Sequence, residues 1–211
     1  MENSKENLTF RQRQSLETKE RIQATSIKLF QKYGYHNVSI AQITNEADVS
    51  KGSFYTHFDT KSDVLNEHYM DDDNHYLNYK KTIDTLPTTP EKLMAFTKYV
   101  YTWIGEEVGW ELMGVIYGYM LDSNSDNSGF LDPDRPFYRI LMDIVEEGQK
   151  LEDIRSDRSP FELVQIIVSN YRGVFYDWCI SQGGFDLLSR GELSMSVLLD
   201  GILYKAPVQT R

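Results

Sequence analysis

Three helix starts crowd into one short stretch, at Ser39, Ser50 and Thr60. Ser39 opens the run S-I-A-Q, a capping box in which the serine caps the first turn and Gln42 reaches back to it. The helix it opens is predicted to end near Ala47, with Ile40 and Ile43 facing inward. Asp48-Val49 makes a tight turn, Ser50 caps a second short helix from Lys51 to about His57, and Thr60 caps a third, with Asp63 three residues on. Upstream, Ile22, Ser26, Leu29, Phe30 and Tyr33 recur on one face of a longer helix predicted from Ser15, and Gly34 reads as its stop. Such an arrangement is a helix-turn-helix. The long helix packs across a short pair whose second member offers its N-terminal end to the DNA major groove.

The formal net charge of −10 is unfavourable for that task, and its distribution resolves the conflict. Residues 1–69 hold nine Lys+Arg and nine Asp+Glu, so the whole acidic excess falls in residues 70–211. Between Arg11 and Lys32 there are six basic residues against Glu17 and Glu20. A locally basic first helix can meet phosphates while the acidic remainder keeps non-specific DNA binding weak.

The rest of the chain reads as helix. The helix after Thr60 is expected to run to about Ile83. Thr-Leu-Pro-Thr-Thr-Pro at 85–90 breaks the pattern, with Thr89 as the next cap and Pro90 as first helical residue. Residues 90–121 are apolar and aromatic, with glycines at 105, 109, 114 and 118; 122–129 is a polar loop. Further helices are predicted from about Arg135 to Glu152, from Ser159-Pro160 to about Gln182, and from about Glu192 to Tyr204. No segment alternates with a strand period. The expected fold is all-α, with about nine helices. It comprises a flexible arm (1–14), a helix-turn-helix domain (15–69) and a larger helical ligand-binding and dimerisation domain (70–211).

The segment V-S-K-G-S-F-Y-T-H-F-D-T-K, 49–61, is dense in groups suited to DNA. Ser39 and Ser50 are caps, and the same helix N-termini present N–H groups and a positive dipole end to a phosphate. Lys51 either reaches a base or phosphate or is an ordinary solvated lysine. Ser53 is short enough to touch a base edge or thymine methyl. Phe54 and Phe58 are core. Together with Ala24, Leu29 to Gly34 (LFQKYG), Ser39-Ile40, Ile43, Ala47 to Tyr55, His57-Phe58 and Lys61, this run resembles the DNA-binding domain of the TetR family of bacterial repressors, over residues 15–69. Beyond that quarter, the chain resembles the family only in length and helical character. The resemblance implies that Gly52 allows close approach of the backbone to DNA. It also implies that Tyr55 and His57 contact phosphates or a thymine methyl, and that Lys61 contacts a phosphate.

Residues 70–211 are rich in aromatics, and in a regulator such a domain encloses a small-molecule pocket. Trp103, Trp110, Met113, Tyr117, Tyr138 and Phe175 are the candidate lining; the plainer reading for any one of them is core. On the last two helices, Val164, Val168 and Tyr171 belong to one apolar face, and Leu193, Val197, Leu198 and Gly201 to a second. Two such pairs would build a four-helix bundle across a two-fold axis, giving the homodimer that a palindromic operator requires. His68, Asp71, Asp72 and His75 share a face if the helix is continuous; a solvated polar face is preferred there, and no metal or other cofactor is expected. The lone Cys179 cannot form an intramolecular disulfide and fits a reducing compartment.

No apolar stretch approaches a membrane span, and the polar N-terminus carries no secretory signal. Nucleotide-binding glycine loops, zinc-protease motifs and nucleophile elbows are absent from the sequence, so an enzyme is not expected. The expectation is a cytoplasmic, ligand-responsive repressor that binds double-stranded operator DNA. By resemblance, a small-molecule effector would release it by shifting the fourth helix and the spacing of the two recognition helices. The alternative is a helix-turn-helix protein controlled by a protein partner, or one with no small-molecule ligand.

Overall fold

A computed structural model describes residues 9–71, 73–122 and 131–203. The helices are α1 Phe10–Tyr33, α2 Ile40–Glu46, α3 Lys51–His57, α4 Lys61–Asp71, α5 Asn74–Ile83, α6 Thr89–Trp103, α7 Gly109–Leu121, α8 Pro136–Lys150, α9 Pro160–Ile180 and α10 Leu187–Ile202, with a π-helical turn, Ile104–Val108, between α6 and α7. The fold is all-α; among the described residues the only β feature is an isolated bridge between Ile154 and Leu203. The chain divides into two compact units, Met1–Met70 and Asp71–Arg211.

In the first unit, α1 begins at Phe10 rather than Ser15, shortening the expected arm. Thr9 and Gln12 form a capping box, Thr9 N–H donating to Gln12 Oε1 at 2.9 Å. Residues 1–8 of the arm lie outside the described residues. Helix α1 buries Ile22, Ser26, Ile27 and Phe30, and the Ser26 hydroxyl is satisfied by the Ile22 carbonyl at 2.8 Å. Leu29 is half-buried and Tyr33 is exposed. Helices α2 and α3 pack on α1 through Ile43, Ala47, Phe54 and Phe58, all buried. Asp48 takes φ +51 in the turn between them, a left-handed conformation that aspartate tolerates better than most side chains.

The expected fourth helix is two. Helix α4 ends at Asp71 and α5 starts at Asn74. The sequence there is Asp71-Asp72-Asp73: three poor helix formers of like charge. Asp73 does not cap α5 with its side chain. Instead it takes a bidentate pair from Arg135, with Nε–Oδ2 2.8 Å and Nη2–Oδ1 2.7 Å, both side chains nearly buried.

The second unit is built around α6 and α9. Helix α6 packs on α5, α8 and α10, while α9 packs on α7, α8 and α10. Thr88, one residue earlier than expected, caps α6 in a box with Glu91, and Pro90 lies in its first turn. Close approach is written in two glycines. A Cβ on Gly148 would lie 2.6 Å from Thr89 Cγ2, where α8 meets the start of α6. A Cβ on Gly191 would lie 2.2 Å from the ring of Tyr101, which is itself only 1% exposed, so α10 can seat on α6 only with glycine there. Helix α10 starts at Leu187, capped by Asp186.

Candidate functional site

Helix α3 is divided by burial into two faces. Phe54 and Phe58 are 0% and 3% exposed and hold it to the unit. Lys51, Gly52, Tyr55 and Thr56 are exposed, and Ser53 and His57 are half-buried. The Ser50 hydroxyl accepts the Ser53 N–H at 3.0 Å and lies 3.0 Å from the Ser53 hydroxyl, so Ser53 reads a base only by sharing or giving up that contact. Tyr55 is 54% exposed and holds its ring edge-on to Phe54, with centroids 5.6 Å apart, which aims the phenol outward from a fixed base. Ser39 caps α2, accepting the Gln42 N–H at 3.2 Å, as the sequence led one to expect.

Gly52 has no structural reason to be glycine. Its Cβ would meet nothing nearer than Ser50 Oγ at 3.6 Å, an ordinary contact. A helical glycine that is neither crowded nor in a left-handed conformation loses stability without return inside the free protein.

Lys61 has a second task that sequence reasoning missed. Its ammonium donates to the carbonyl of Tyr35 at 2.8 Å and to that of Val38 at 2.5 Å, and lies 4.4 Å from the Tyr35 ring centre. Burial lowers its pKa from the ordinary lysine value. An ammonium has three donors. Two close the loop after α1, which leaves one for a phosphate. The loop carbonyls carry no side-chain signature, so only the fold reveals this.

The six expected effector residues are dispersed through the second unit. Trp103 stacks on His75 at 3.9 Å. Trp110 stands against Gly183, where an added Cβ would come within 2.7 Å of its ring. Met113 is buried in α7. Tyr117 donates to the Arg172 carbonyl at 3.0 Å. Phe175 packs on Tyr101 with ring centres 5.0 Å apart. Tyr138 alone of the six lines a described cavity, of ≈ 360 Å³, with Phe161, Val168 and Arg172 among its walls; Arg172 Nη2 donates to the Tyr138 hydroxyl at 2.8 Å.

The expected dimer residues also separate. Val164, Val168 and Tyr171 are 1%, 4% and 1% exposed and belong to the core of their own chain, a correction to the expected face. Helix α9 is apolar on several sides, and the side it leaves outward carries Ile166, Tyr176 and Ile180, 47%, 51% and 64% exposed. On α10, Leu193 and Val197 are 62% and 65% exposed; Gly201 is exposed and Leu198 half-buried.

The break between α4 and α5 interrupts the continuous face that His68, Asp71, Asp72 and His75 would need. Asp72 and the Asp71 side chain lie outside the described residues. His75 is engaged with its neighbours, its Nδ1 3.0 Å from the Tyr99 hydroxyl, and burial lowers its pKa to about 4. Among the described residues no group of three or more His, Cys, Asp or Glu could hold a metal ion. Burial pushes the Cys179 thiol up to about 11, which keeps it protonated and unreactive near neutral pH. No helix among the described residues is long and apolar enough to cross a membrane.

Comparison with known proteins finds the same helix-turn-helix and the same fold. Residues 22–68 match the model of the tetR family of bacterial regulatory proteins. The HTH-type transcriptional regulator YerO of Bacillus subtilis is 49% identical over 49 residues, 23% of this chain and 17% of that protein, so the match spans far less than two thirds of its length. The probable acrEF/envCD operon repressor of Escherichia coli K12 is 20% identical over 199 residues, 90% of this chain and 87% of its own. Among solved structures, the TetR-family repressor FadR of Thermus thermophilus, in complex with lauroyl-CoA, superposes with a TM-score of 0.70 at 19% identity, over 92% of this chain and 100% of its own. The family match thus covers the helix-turn-helix, residues 22–68, and the likeness over the rest of the chain is one of fold.

Proposed function

We propose that the chain is a cytoplasmic homodimeric repressor that reads a palindromic operator with α3 and releases it when a small molecule binds the second unit. The observation that carries the reading is Gly52: a glycine without internal purpose, between a capping serine and an exposed lysine and tyrosine, at the N-terminal end of a recognition helix. In the proposed complex Ser39 and Ser50 present helix N-termini to phosphates. Lys51 and Ser53 face base edges or phosphates, Tyr55 and His57 contact the backbone or a thymine methyl, and Lys61 lends its remaining donor to a phosphate. A fold of this kind that holds lauroyl-CoA supports effector binding in the second unit, and the cavity beside Tyr138 and Arg172 supplies space there.

The test is a mobility-shift titration at fixed salt, on an operator selected from random duplexes with the full chain. Tyr55→Ala is expected to weaken binding by about tenfold, ~1.4 kcal/mol, with unchanged thermal unfolding. Equal affinity of variant and parent would refute the interface. Lys61→Ala is a poorer probe, because it also opens the loop at Tyr35 and Val38.

The partner in the dimer is a second copy seated on the outward side of α9 and α10. The exposure of Ile166, Tyr176 and Ile180 on α9 and of Leu193 and Val197 on α10, two helices packed on one another, supports this, since exposed apolar side chains in such number are unfavourable in water. Leu193→Asp with Val197→Asp is expected to turn a dimer into a folded monomer in sedimentation velocity. A dimer that survives both changes would place the interface elsewhere.

A further inference from the structure

A second cavity, also ≈ 360 Å³, opens where the end of α6 and the π-helical turn meet the end of α9 and the start of α10. Tyr101, Trp178 and Leu187, 1%, 7% and 5% exposed, belong to its lining, together with Phe185. The ionisable groups in the lining, apart from the tyrosine, are two carboxylates, Glu106 and Asp186, both on exposed residues; no lysine, arginine or histidine lines it. A cationic group stands at its edge: the Arg190 guanidinium lies over the ring of the lining residue Phe185, 4.7 Å from its centre.

Three features keep the space open. The π-helical winding of Ile104–Val108 inserts a wider turn at the end of α6, a geometry that recurs at functional sites. Within that turn Gly105 carries no side chain, and a Cβ there would meet only Leu187 Cδ2, at 3.8 Å. Gly183, at φ +76, turns the chain out of α9 so that Phe185 and Asp186 can border the same space.

We propose that this cavity binds a small organic cation, an aromatic or alkyl ammonium, with its apolar body against Trp178 and Leu187 and its charge towards Glu106 and Asp186. The Arg190–Phe185 contact is an example of a cation held on an aromatic face at the cavity's edge. An anion meets two carboxylates, and a neutral ligand gains at most a hydrogen bond from them without the charge–charge attraction. Hydrogen bonds from Ser189, its side chain first and then its N–H at 2.6 Å, lower the Asp186 pKa and keep the carboxylate charged. The acidic excess of residues 70–211 adds a long-range attraction of the same sign. The proposal concerns the second unit alone and does not rest on the operator-binding reading.

The probes are benzyltrimethylammonium, the neutral N-benzylacetamide and the anionic phenylacetate, each titrated into the full chain at fixed salt by calorimetry and indole fluorescence. The ammonium is expected to bind saturably at one site per chain, at least about tenfold more tightly than the other two. Glu106→Gln with Asp186→Asn, in which asparagine keeps the cap of α10, is expected to abolish that preference. Gly105→Leu is expected to block binding while leaving the unfolding midpoint in place. Equal binding of the three probes, an undiminished preference in the neutralised variant, or no signal at millimolar ammonium would overturn the assignment. Operator release measured alongside is a separate readout: bound ammonium without release keeps the cavity and excludes it as the effector site.

Discussion

Arg135→Ala is expected to destabilise the second unit by about 3–5 kcal/mol, because it strands a buried carboxylate. Asp73 is only 6% exposed, and its two oxygens are engaged by the Arg135 guanidinium. The pair ties the residue before α5 to the residue before α8, so its loss should loosen both helix starts. Denaturant unfolding of the full chain measures it. The diagnostic companion is the double variant Asp73→Leu with Arg135→Met, which removes both charges and retains apolar bulk. It is expected to recover most of the loss, since replacing a buried pair costs far less than breaking it. If the single variant unfolds at the parental midpoint, the pair is solvated and contributes little.

Gly52→Ala is expected to move stability and function in opposite directions. In the free protein the methyl group meets only Ser50 Oγ at an ordinary 3.6 Å, so alanine should stabilise α3 by up to ~1 kcal/mol through helix propensity. On operator DNA the same methyl stands between backbone and groove, and affinity should fall by about tenfold, ~1.4 kcal/mol. Thermal unfolding and a mobility-shift titration on one preparation give both numbers. A variant that loses stability, or binds as well as the parent, would remove the reason for placing this glycine at the DNA surface.

The sequence disclosed the helix-turn-helix because its signals are local. Caps at Ser39, Ser50 and Thr60 and the stop at Gly34 act within four residues, and each appears in the structure. The box of Thr9 with Gln12 is equally local, but the polar residues around it give no apolar period to mark it as a helix start. The second unit was less legible for a physical reason. Periodicity says which side of a helix is apolar, but α9 has apolar residues on several sides, and which of them meets α7, α8 or α10 is decided by neighbours far away in the chain. Val168 and Ile166 look alike in a pattern; one is buried within its chain and the other is not. The candidate pocket residues are likewise spread through the second unit, with Tyr138 beside a cavity. Residue type alone singles out Trp103, Trp110 and Phe175, and each packs against a different neighbour: His75, Gly183 or Tyr101. The cavity beneath the π-helical turn depends on an absence, at Gly105, that composition cannot single out.

The two carbonyls held by Lys61 have a mechanical consequence. They belong to the loop that leaves α1, while the ammonium belongs to the first residue of α4. The rivet thus joins the beginning of α4 to the peptide that leads into α2 and α3. Moving α4 against that loop would break both hydrogen bonds, so the two contacts favour the start of α4 and the approach to α2 moving together.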